Sequence, residues 1–298
     1  MIDLAALTSL GAVSRHGSVI AAATSLGYSP SAVSQQIKRL ERSVGVDLLE
    51  RVGRGVILTE AGRQLVDEGG DVLTELERLQ SDLRAGTGQV AGRLRLAAFA
   101  TAVRGLLAPA VGALHRSHPD LQVTLVEREP WDTIALVASG EADVGLVHSW
   151  GDVPLEIPDH LSTAVVTHDV ADVLVPADHP LAARDRVTPQ ELLDVRWVAT
   201  PEGTICRAWL VRMYVGTGQA PRIAHESMEF ASHVALVAAG LGVALVPRLG
   251  REALPAEVRA VAVTDPVPTR EISLLHRRSM DRSPAVRAIA EQISAAVG

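Results

Sequence analysis

Hydroxyl, amide and basic side chains follow one another at helical spacing near the N-terminus, an arrangement that suits contact with DNA. Ser31, Ser34 and Gln35 come first, and Lys38 and Arg42 follow one and two turns later. Ser and Gln hydrogen-bond to base edges, whereas Lys and Arg hold phosphates. The same side chains are also ordinary on the solvated face of any small helical domain. These residues alone therefore leave two interpretations open, DNA recognition and a plain three-helix domain.

Capping signals place those side chains on the second of two short helices. The first helix begins after Ser18, a good N-cap, and ends at Gly27. The second has Ser29 at the N-cap and Pro30 at the first helical position, whose missing N–H would be unpaired anyway. Its apolar stripe consists of Val33, Ile37, Leu40 and Val44. Two helices with a glycine-containing turn between them are typical of a helix-turn-helix that enters a major groove.

A two-stranded wing is predicted to follow the helices. Residues 47–50 and 56–58 are strand-like and flank Gly53, Arg54 and Gly55. The glycines allow a tight turn, and an arginine at its tip can enter a minor groove. We therefore expect Arg51 and Arg54 to add DNA contacts to those of the helices.

A long helix that needs a partner follows the wing. Thr59 can cap it. Its apolar positions recur at 4-3-4 spacing and are Val72, Leu76, Leu79 and Leu83. Since the opposite face is acidic, only one side of this helix can be buried. We expect it to run to about Leu83 and to pair with a second copy; packing against its own domain is the alternative.

Strand-like and helical segments alternate from residue 93 onward. The predicted strands are residues 93–99, 122–126, 144–147, 173–175 and 197–199, and the predicted helices are 103–115 and 133–139. In open α/β sheets a ligand sits beyond the C-terminal ends of the strands, near the N-termini of helices. This part of the chain is therefore predicted to be an α/β domain with a ligand site at that edge.

The composition is that of a folded chain outside the secretory route. Of 298 residues, 47% are hydrophobic and 21% are charged, which excludes a disordered chain. The start lacks a secretory signal, and the longest late apolar stretch, residues 234–247, is too short for a membrane span. We expect a cytoplasmic protein with no membrane partner. Cys206 is the single cysteine, so the chain has no internal disulfide and no cysteine-based zinc site, and a redox role is disfavoured.

Charge is distributed unevenly along the chain. The net charge is −7, yet residues 1–58 carry six basic and four acidic side chains. Basic charge therefore collects where the DNA-contacting helices are predicted, although this footprint is weak when taken alone.

Enzymatic interpretations lack their usual motifs. The sequence contains no Walker A string, HExxH, G-x-S-x-G or complete G-x-G-x-x-G. His115 and His118 are close in sequence but have no third ligand nearby, so we expect no metal site and no cofactor. An α/β enzyme of the transferase type remains the alternative function, and a solute-binding protein would need an export signal.

The N-terminal motifs resemble those of the LysR-type transcriptional regulators. The resemblance is carried by Gly17 and Ser18, by residues 29–51, which read SPSAVSQQIKRLERSVGVDLLER, and by Leu58-Thr59-Glu60-Ala61-Gly62. It extends more loosely through His179-Pro180-Leu181-Ala182 and through residues 239–247. One departure is that many members have arginine where this chain has Gln35. Base preference is therefore not transferable from a relative.

The resemblance implies a fold class and a domain order. They are a winged helix-turn-helix over residues 1–58, a linker helix over 59–88, and an effector-binding domain over 89–298 that resembles periplasmic binding proteins. That domain would have two α/β lobes, residues 92–164 with 264–298 and residues 165–263, closing on an effector. The implied partners are operator DNA and an organic-acid or amino-acid-like effector. The implied assembly is a homodimer through the linker helix and a homotetramer of two such dimers.

Mapping that cleft onto the chain gives the candidate effector contacts. Thr101 is the first choice, because its hydroxyl and the amides around it open a helix and can hold an anion. His148 ends a strand, where it could pair with an anion and make the response sensitive to pH. The other candidates are Ala100, Ala102, Thr200, Pro201, Glu202, Met228 and Glu229, with Pro130 and Trp131 at the rim. Two of these are carboxylates, which favours a ligand that carries an amine or leaves them facing solvent.

Overall fold

The computed structural model describes residues 1–53, 55–151, 153 and 155–297. Within it the chain forms two compact units, Met1–Gly88 and Gln89–Gly298. The predicted contact Arg54 lies outside the described residues.

The first unit is a helical domain with a β-hairpin and a long C-terminal helix. Its helices are α1 (Leu4–His16), α2 (Val19–Leu26), α3 (Pro30–Val44) and α4 (Glu60–Thr87). The predicted caps are confirmed, since the hydroxyls of Ser18, Ser29 and Thr59 accept amide hydrogen bonds of 3.0, 3.2 and 3.0 Å. Val33, Ile37 and Leu40 of α3 are buried in the core of this unit. The opposite face of α3 is thereby left to solvent.

The hairpin consists of β1 (Leu49–Val52) and β2 (Gly55–Leu58), paired antiparallel with Leu49 opposite Leu58. Its first strand begins two residues later than predicted. The Glu41 carboxylate accepts hydrogen bonds from the amides of Leu48 and Leu49, at 3.0 and 3.2 Å. Because Glu41 of α3 binds the backbone at Leu48 and Leu49, the pairing of β1 with β2 begins only at Leu49.

The described residues of the second unit form a ten-stranded mixed sheet. Its strands are β3 (Gly92–Ala98), β4 (Leu121–Glu127), β5 (Val144–Trp150), β6 (Leu161–Pro176), β7 (Arg186–Val187), β8 (Arg196–Ala199), β9 (Arg222–Glu226), β10 (Val243–Pro247), β11 (Val258–Val263) and β12 (Thr269–Arg277). Its helices are α5 (Ala100–Ala102), α6 (Ala108–Ser117), α7 (Pro130–Ala138), α8 (Ile205–Met213), α9 (Phe230–Ala238) and α10 (Pro284–Val297). The strand order along the main path is β4-β3-β5-β12-β6-β10-β8-β9.

Strand β6 belongs to both lobes of this unit. Its residues 161–170 pair with β12, whereas residues 171–176 pair with β10 and β11. The strand therefore changes lobes between Val170 and Ala171, later than the boundary expected at 164/165. The sequence prediction covered only residues 173–175, because the first half of the strand mixes apolar and polar residues and has no long apolar run.

The helix predicted over residues 103–115 is divided. A π-helical turn, Val103–Leu107, separates α5 from α6, and Pro109 lies in the first turn of α6. Proline has no N–H for the bond to the fourth preceding carbonyl, so a regular helix cannot continue through it. The turn lies beside the second lobe, where a Cβ on Gly105 would come within 2.5 Å of the Leu249 side chain.

Each lobe has its own apolar core. One core is centred on β3, β5, α6 and α10, and the other on β6, β8, β10 and α8. Among the described residues, no helix is long and apolar enough to cross a membrane.

A substitution at Gly62 tests how α4 packs against the rest of the helical domain. A Cβ at this position would collide with the backbone carbonyl of Leu48. We expect Gly62→Ala to destabilise the first unit by about 1–3 kcal/mol, because neither backbone can move freely. The measurement is urea unfolding followed by circular dichroism. Gly70→Ala is the matched control on the same helix; its Cβ meets open space, so stability should be unchanged or rise by up to ~1 kcal/mol. Equal losses for the two variants would contradict this packing.

Candidate functional site

The start of α3 presents polar side chains to solvent. Ser31, Gln35 and Lys38 are exposed and Ser34 is half-buried, while the apolar stripe of the same helix packs inward. The Ser29 and Ser31 hydroxyls lie 3.0 Å apart, and Pro30 occupies the first turn. Side chains that contact bases must be accessible to DNA, and the exposed side chains on this face of α3 meet that requirement.

Of the other candidate DNA contacts, Ser18 caps a helix and Arg51 is exposed to solvent. Ser18 is half-buried and its hydroxyl caps α2. Arg51 is exposed on β1 of the hairpin. Gln36, which adjoins the predicted reader Gln35, is engaged instead with the hydroxyl of Ser9 at 2.6 Å. The described part of this unit therefore offers an exposed polar helix start and an exposed arginine on the hairpin.

The second unit contains a cavity of about 270 Å³ between its lobes. Six of the predicted contacts line it, namely Ala100, Thr101, His148, Thr200, Met228 and Glu229. The lining residues that sequence reasoning missed are Phe99, Arg104, Glu127, Glu129, Thr204, Cys206, Phe230, Ala231 and Arg270. Most of them lie at strand ends or in the first turns of helices, the positions where a ligand is expected in such a sheet.

Five predicted contacts do not line this cavity, the rim residue Trp131 among them. Ala102 is fully buried in the core of the first lobe, and Pro130 is buried at the start of α7. Pro201 and Glu202 are in the loop after β8, and Glu202 is exposed to solvent. The carboxylate of Glu202 therefore faces water, which answers the question that the sequence left open for this residue.

Arg270 is the central charged group of the cavity. It lies on β12 with a side chain that is 1% exposed. Its Nε and Nη2 atoms donate to Oδ2 of Asp169 at 3.0 and 2.8 Å, and Nη2 also donates to the Thr101 hydroxyl at 2.7 Å. The guanidinium lies over the rings of Phe99 and Trp150, 5.1 and 5.9 Å from their centroids. These contacts hold one positive charge in a fixed orientation at the cavity wall.

Donor groups remain available beside Arg270. Because the Thr101 oxygen accepts from Arg270, its own hydrogen is free to point elsewhere. The hydrogen bonds of Arg270 use Nε and Nη2, and no described residue accepts a hydrogen bond from Nη1. The pair therefore offers two donors to an acceptor such as a carboxylate.

The sequence does contain a signal for Arg270. Along β12 the residues at positions 270, 272 and 274 alternate with their neighbours and are buried. An arginine in register with Ile272 and Leu274 must face inward, and a buried charge needs a partner.

His148 does not supply positive charge to the site. Its ring meets the edge of Phe99 at a centroid distance of 4.5 Å. Burial and the neighbouring charge of Arg270 hold the pKa of His148 well below its ordinary value. The lowered pKa disfavours the expectation of a protonated, pH-sensitive His148. Its buried Nδ1 atom has no hydrogen-bond partner among the described residues.

Acidic side chains also line the cavity. Glu127, Glu129 and Glu229 contribute three carboxyl groups, beside Arg104 and Arg270. Burial, followed by the charges of Glu127 and Asp132, raises the pKa of Glu129. The cavity therefore offers acceptors as well as donors.

Two tryptophans of this unit, Trp131 and Trp150, do not line the cavity. Trp150 is buried and packs edge-on against Trp209 at a centroid distance of 5.5 Å. Trp131 is exposed and does not line the cavity. Within the described ranges, no three His, Cys, Asp or Glu side chains are grouped to hold a metal ion.

A helix-turn-helix unit followed by a two-lobed α/β unit with a central cavity defines a ligand-responsive DNA-binding regulator. Family models agree along almost the whole chain. The model described as bacterial regulatory helix-turn-helix protein, lysR family, matches residues 4–63, and the LysR substrate binding domain matches residues 87–298. The chain belongs to the LysR family of transcriptional regulators.

Individual relatives have low sequence identity to this chain, but the similarity extends over most of both chains. YnfL of Escherichia coli, an uncharacterised HTH-type transcriptional regulator, is 30% identical over 276 residues, which cover 89% of each chain. A probable hydrogen peroxide-inducible genes activator of Mycobacterium avium is 28% identical and covers 96% of this chain and 92% of its own. A full-length OxyR variant from Pseudomonas aeruginosa superposes with a TM-score of 0.76 at 24% identity, covering 98% of this chain and 95% of its own. The last comparison confirms the fold.

Cys206 gives a prediction about reactivity. Burial raises the pKa of its thiol to about 11, against the opposing charge of Arg270. At pH 8 only about one thiol in a thousand is then the reactive thiolate. We expect iodoacetamide to alkylate the native protein at under ~5% of the rate for the chain unfolded in urea, where an ordinary thiol pKa returns. Since this is the single cysteine, mass spectrometry reads the site directly. Similar rates in the two states would show that the thiol is accessible and ionised.

Proposed function

We propose that this regulator reads operator DNA with the start of α3 and senses a small carboxylate-bearing effector in the cavity between its lobes. The observation that carries the effector site is the buried Arg270, held by Asp169 and hydrogen-bonded to Thr101, with donors left over at the cavity wall. Effector binding changes the angle between the lobes, and this alters the binding or bending of DNA.

The DNA contacts divide into readers and anchors. Ser31, Ser34 and Gln35 meet base edges in the major groove, because they are polar and face solvent at the start of α3. The anchors are Ser18, Ser29, Pro30, Lys38, Arg51 and Arg54, which lie against phosphates or, for the wing, in a minor groove. Base preference then depends mainly on the readers, and overall affinity on the anchors.

The charges of the cavity favour an amino-acid-like effector over a simple organic acid. Its carboxylate meets Thr101 and Nη1 of Arg270. The charge of Arg270 is already balanced by Asp169, so Arg104 is the one other cation among the described lining residues, set against three glutamates, and the site is short of positive charge. An ammonium group on the effector supplies that charge.

The proposed domain order follows the two compact units and the fold of each. Residues 1–58 bind DNA, residues 59–88 form the linker helix, and residues 89–298 bind the effector. Val72, Leu79 and Leu83 of α4 are exposed in the single chain, by 51, 51 and 66%. Burying them against a second α4 forms a homodimer, and two dimers form a tetramer that places two pairs of α3 on one operator. Such a regulator works in the cytoplasm, where the chromosome is.

Two other functions have weaker support. An enzyme of the transferase type would need a nucleophile or general base in the cavity. His148 is buried beside Arg270, and the Cys206 thiol has a raised pKa. Peroxide sensing, suggested by the name of the Mycobacterium relative, needs a reactive thiolate, which the same raised pKa disfavours.

The DNA-binding half is tested by selecting genomic fragments with the purified full-length protein. We expect a fragment with dyad symmetry, bound about 10³-fold or more tightly than scrambled DNA at the same salt. Failure to enrich any fragment at any salt would contradict the function and favour the enzyme alternative.

Binding of two variants to the selected fragment then distinguishes a base-reading residue from a phosphate-binding residue. Gln35→Ala should lose about 10- to 100-fold in affinity for the operator while leaving scrambled DNA unchanged, because it removes a base contact. Lys38→Ala should weaken both and reduce the salt slope by about one unit, because it removes a phosphate contact. The readout is a salt titration by fluorescence anisotropy. Identical behaviour of the two variants would contradict this division.

A further inference from the structure

A second chamber adjoins the polar cavity. Its volume is about 220 Å³, and four residues line both spaces, namely Thr101, Arg104, Phe230 and Ala231. The chambers therefore meet where the start of α9 faces the turn after α5. A ligand held at Thr101 is in reach of both.

Among the described residues, fewer charged side chains line the second chamber than the first, three against five. Its walls include the apolar side chains of Phe230, Val234, Val246, Pro247, Ala253 and Pro255, together with Thr101, Arg104, Arg251 and Glu252. A dry cavity of roughly 150 Å³ suffices for a benzene ring, so this space accommodates a ring or a short alkyl chain.

The arginines beside the second chamber already have partners. The Arg251 Nη1 atom donates to Asp172 at 3.0 Å, and the Arg104 Nε atom donates to the Gly250 carbonyl at 3.0 Å. Of the charged wall residues, this leaves Glu252, which is exposed to solvent. An apolar ligand group therefore finds apolar side chains in the second chamber, while Thr101 and Arg270 offer donors to a charged group in the first.

We infer that the effector is elongated and amphipathic: an α-amino acid-like head lies in the polar cavity, and an apolar tail passes between Thr101 and Phe230 into the second chamber. This rests on the proposed effector site at Thr101 and Arg270 and adds the size and polarity of the rest of the ligand. The tail contacts α9 and the loop after β10 in one lobe while the head is held by β12 and α5 in the other. Tail binding thus contributes to closure of the lobes.

The test is isothermal calorimetry on the full-length protein with glycine, 2-aminopentanoate and 2-aminooctanoate. Each methylene that enters an apolar chamber should tighten binding by up to about fourfold, so affinity should rise strongly along the series. Octanoate, which has the tail without the ammonium group, should bind at least about tenfold more weakly than 2-aminooctanoate.

Two variants locate the tail. Ala253→Trp fills the second chamber from an exposed loop position, so it should remove the gain of 2-aminooctanoate over glycine without unfolding the protein. Ala256→Trp is the matched control, exposed on the same loop and lining neither chamber. Thr101→Val should weaken every member of the series, because it removes a donor to the head.

The outcomes separate this inference from the proposed function. If the amino acids bind with equal affinity and remain sensitive to Thr101→Val, the head site stands and the tail chamber is wrong. The same holds if the two tryptophan variants behave alike. If no member of the series binds at about 10 mM, the amino-acid-like class and the inference fall together, whereas operator selection still decides DNA binding.

Discussion

The ion pair between Arg270 and Asp169 is the interaction on which the sensor unit depends. The two residues face each other in the register of β12 and β6, one position before β6 changes lobes. Asp169 also accepts the amide of Leu249 through Oδ1 at 2.9 Å, and Arg270 donates to Thr101. One buried pair therefore joins β12, β6, the loop after β10 and the start of α5. A buried charge without its partner is strongly destabilising, so these four segments are constrained together.

The same pair determines the chemistry of the cavity. It fixes a guanidinium at the wall, whose charge adds to burial in lowering the pKa of His148 and whose hydrogen bond leaves the Thr101 hydroxyl as a donor. Because Asp169 balances the charge, the cavity does not simply attract anions. The glutamates that line the cavity then favour, in the proposed site, a ligand that carries both charges. The pair of Arg270 and Asp169 therefore affects both the packing of the lobes and the selectivity of the proposed site. A ligand that competes for the donors of Arg270 would act on β6 where the two lobes join.

Local signals made the first unit predictable from the sequence. The caps at Ser18, Ser29 and Thr59 act within three residues of the side chain that makes them, and the stripe of α3 repeats with the helical period. The cleft depended on contacts between distant residues. Arg270 meets Thr101 across a separation of 169 residues, and no short motif signals that contact. The first half of β6 was missed for a related reason: its mixed side chains do not indicate a strand, and its pairing with β12 supplies that structure.

The most direct test of this account is a double-mutant cycle on the unfolding free energy of the sensor unit, measured by urea denaturation of the full-length protein. The variants are Arg270→Met, Asp169→Asn, which keeps an acceptor for the Leu249 amide, and the double variant. The account predicts that each single change costs about 3–5 kcal/mol, because it leaves one buried charge uncompensated. The double variant should lose less than the sum of the two by about 2–3 kcal/mol. Additive losses, or single losses below about 1 kcal/mol, would show that this pair does not hold the lobes and the site together.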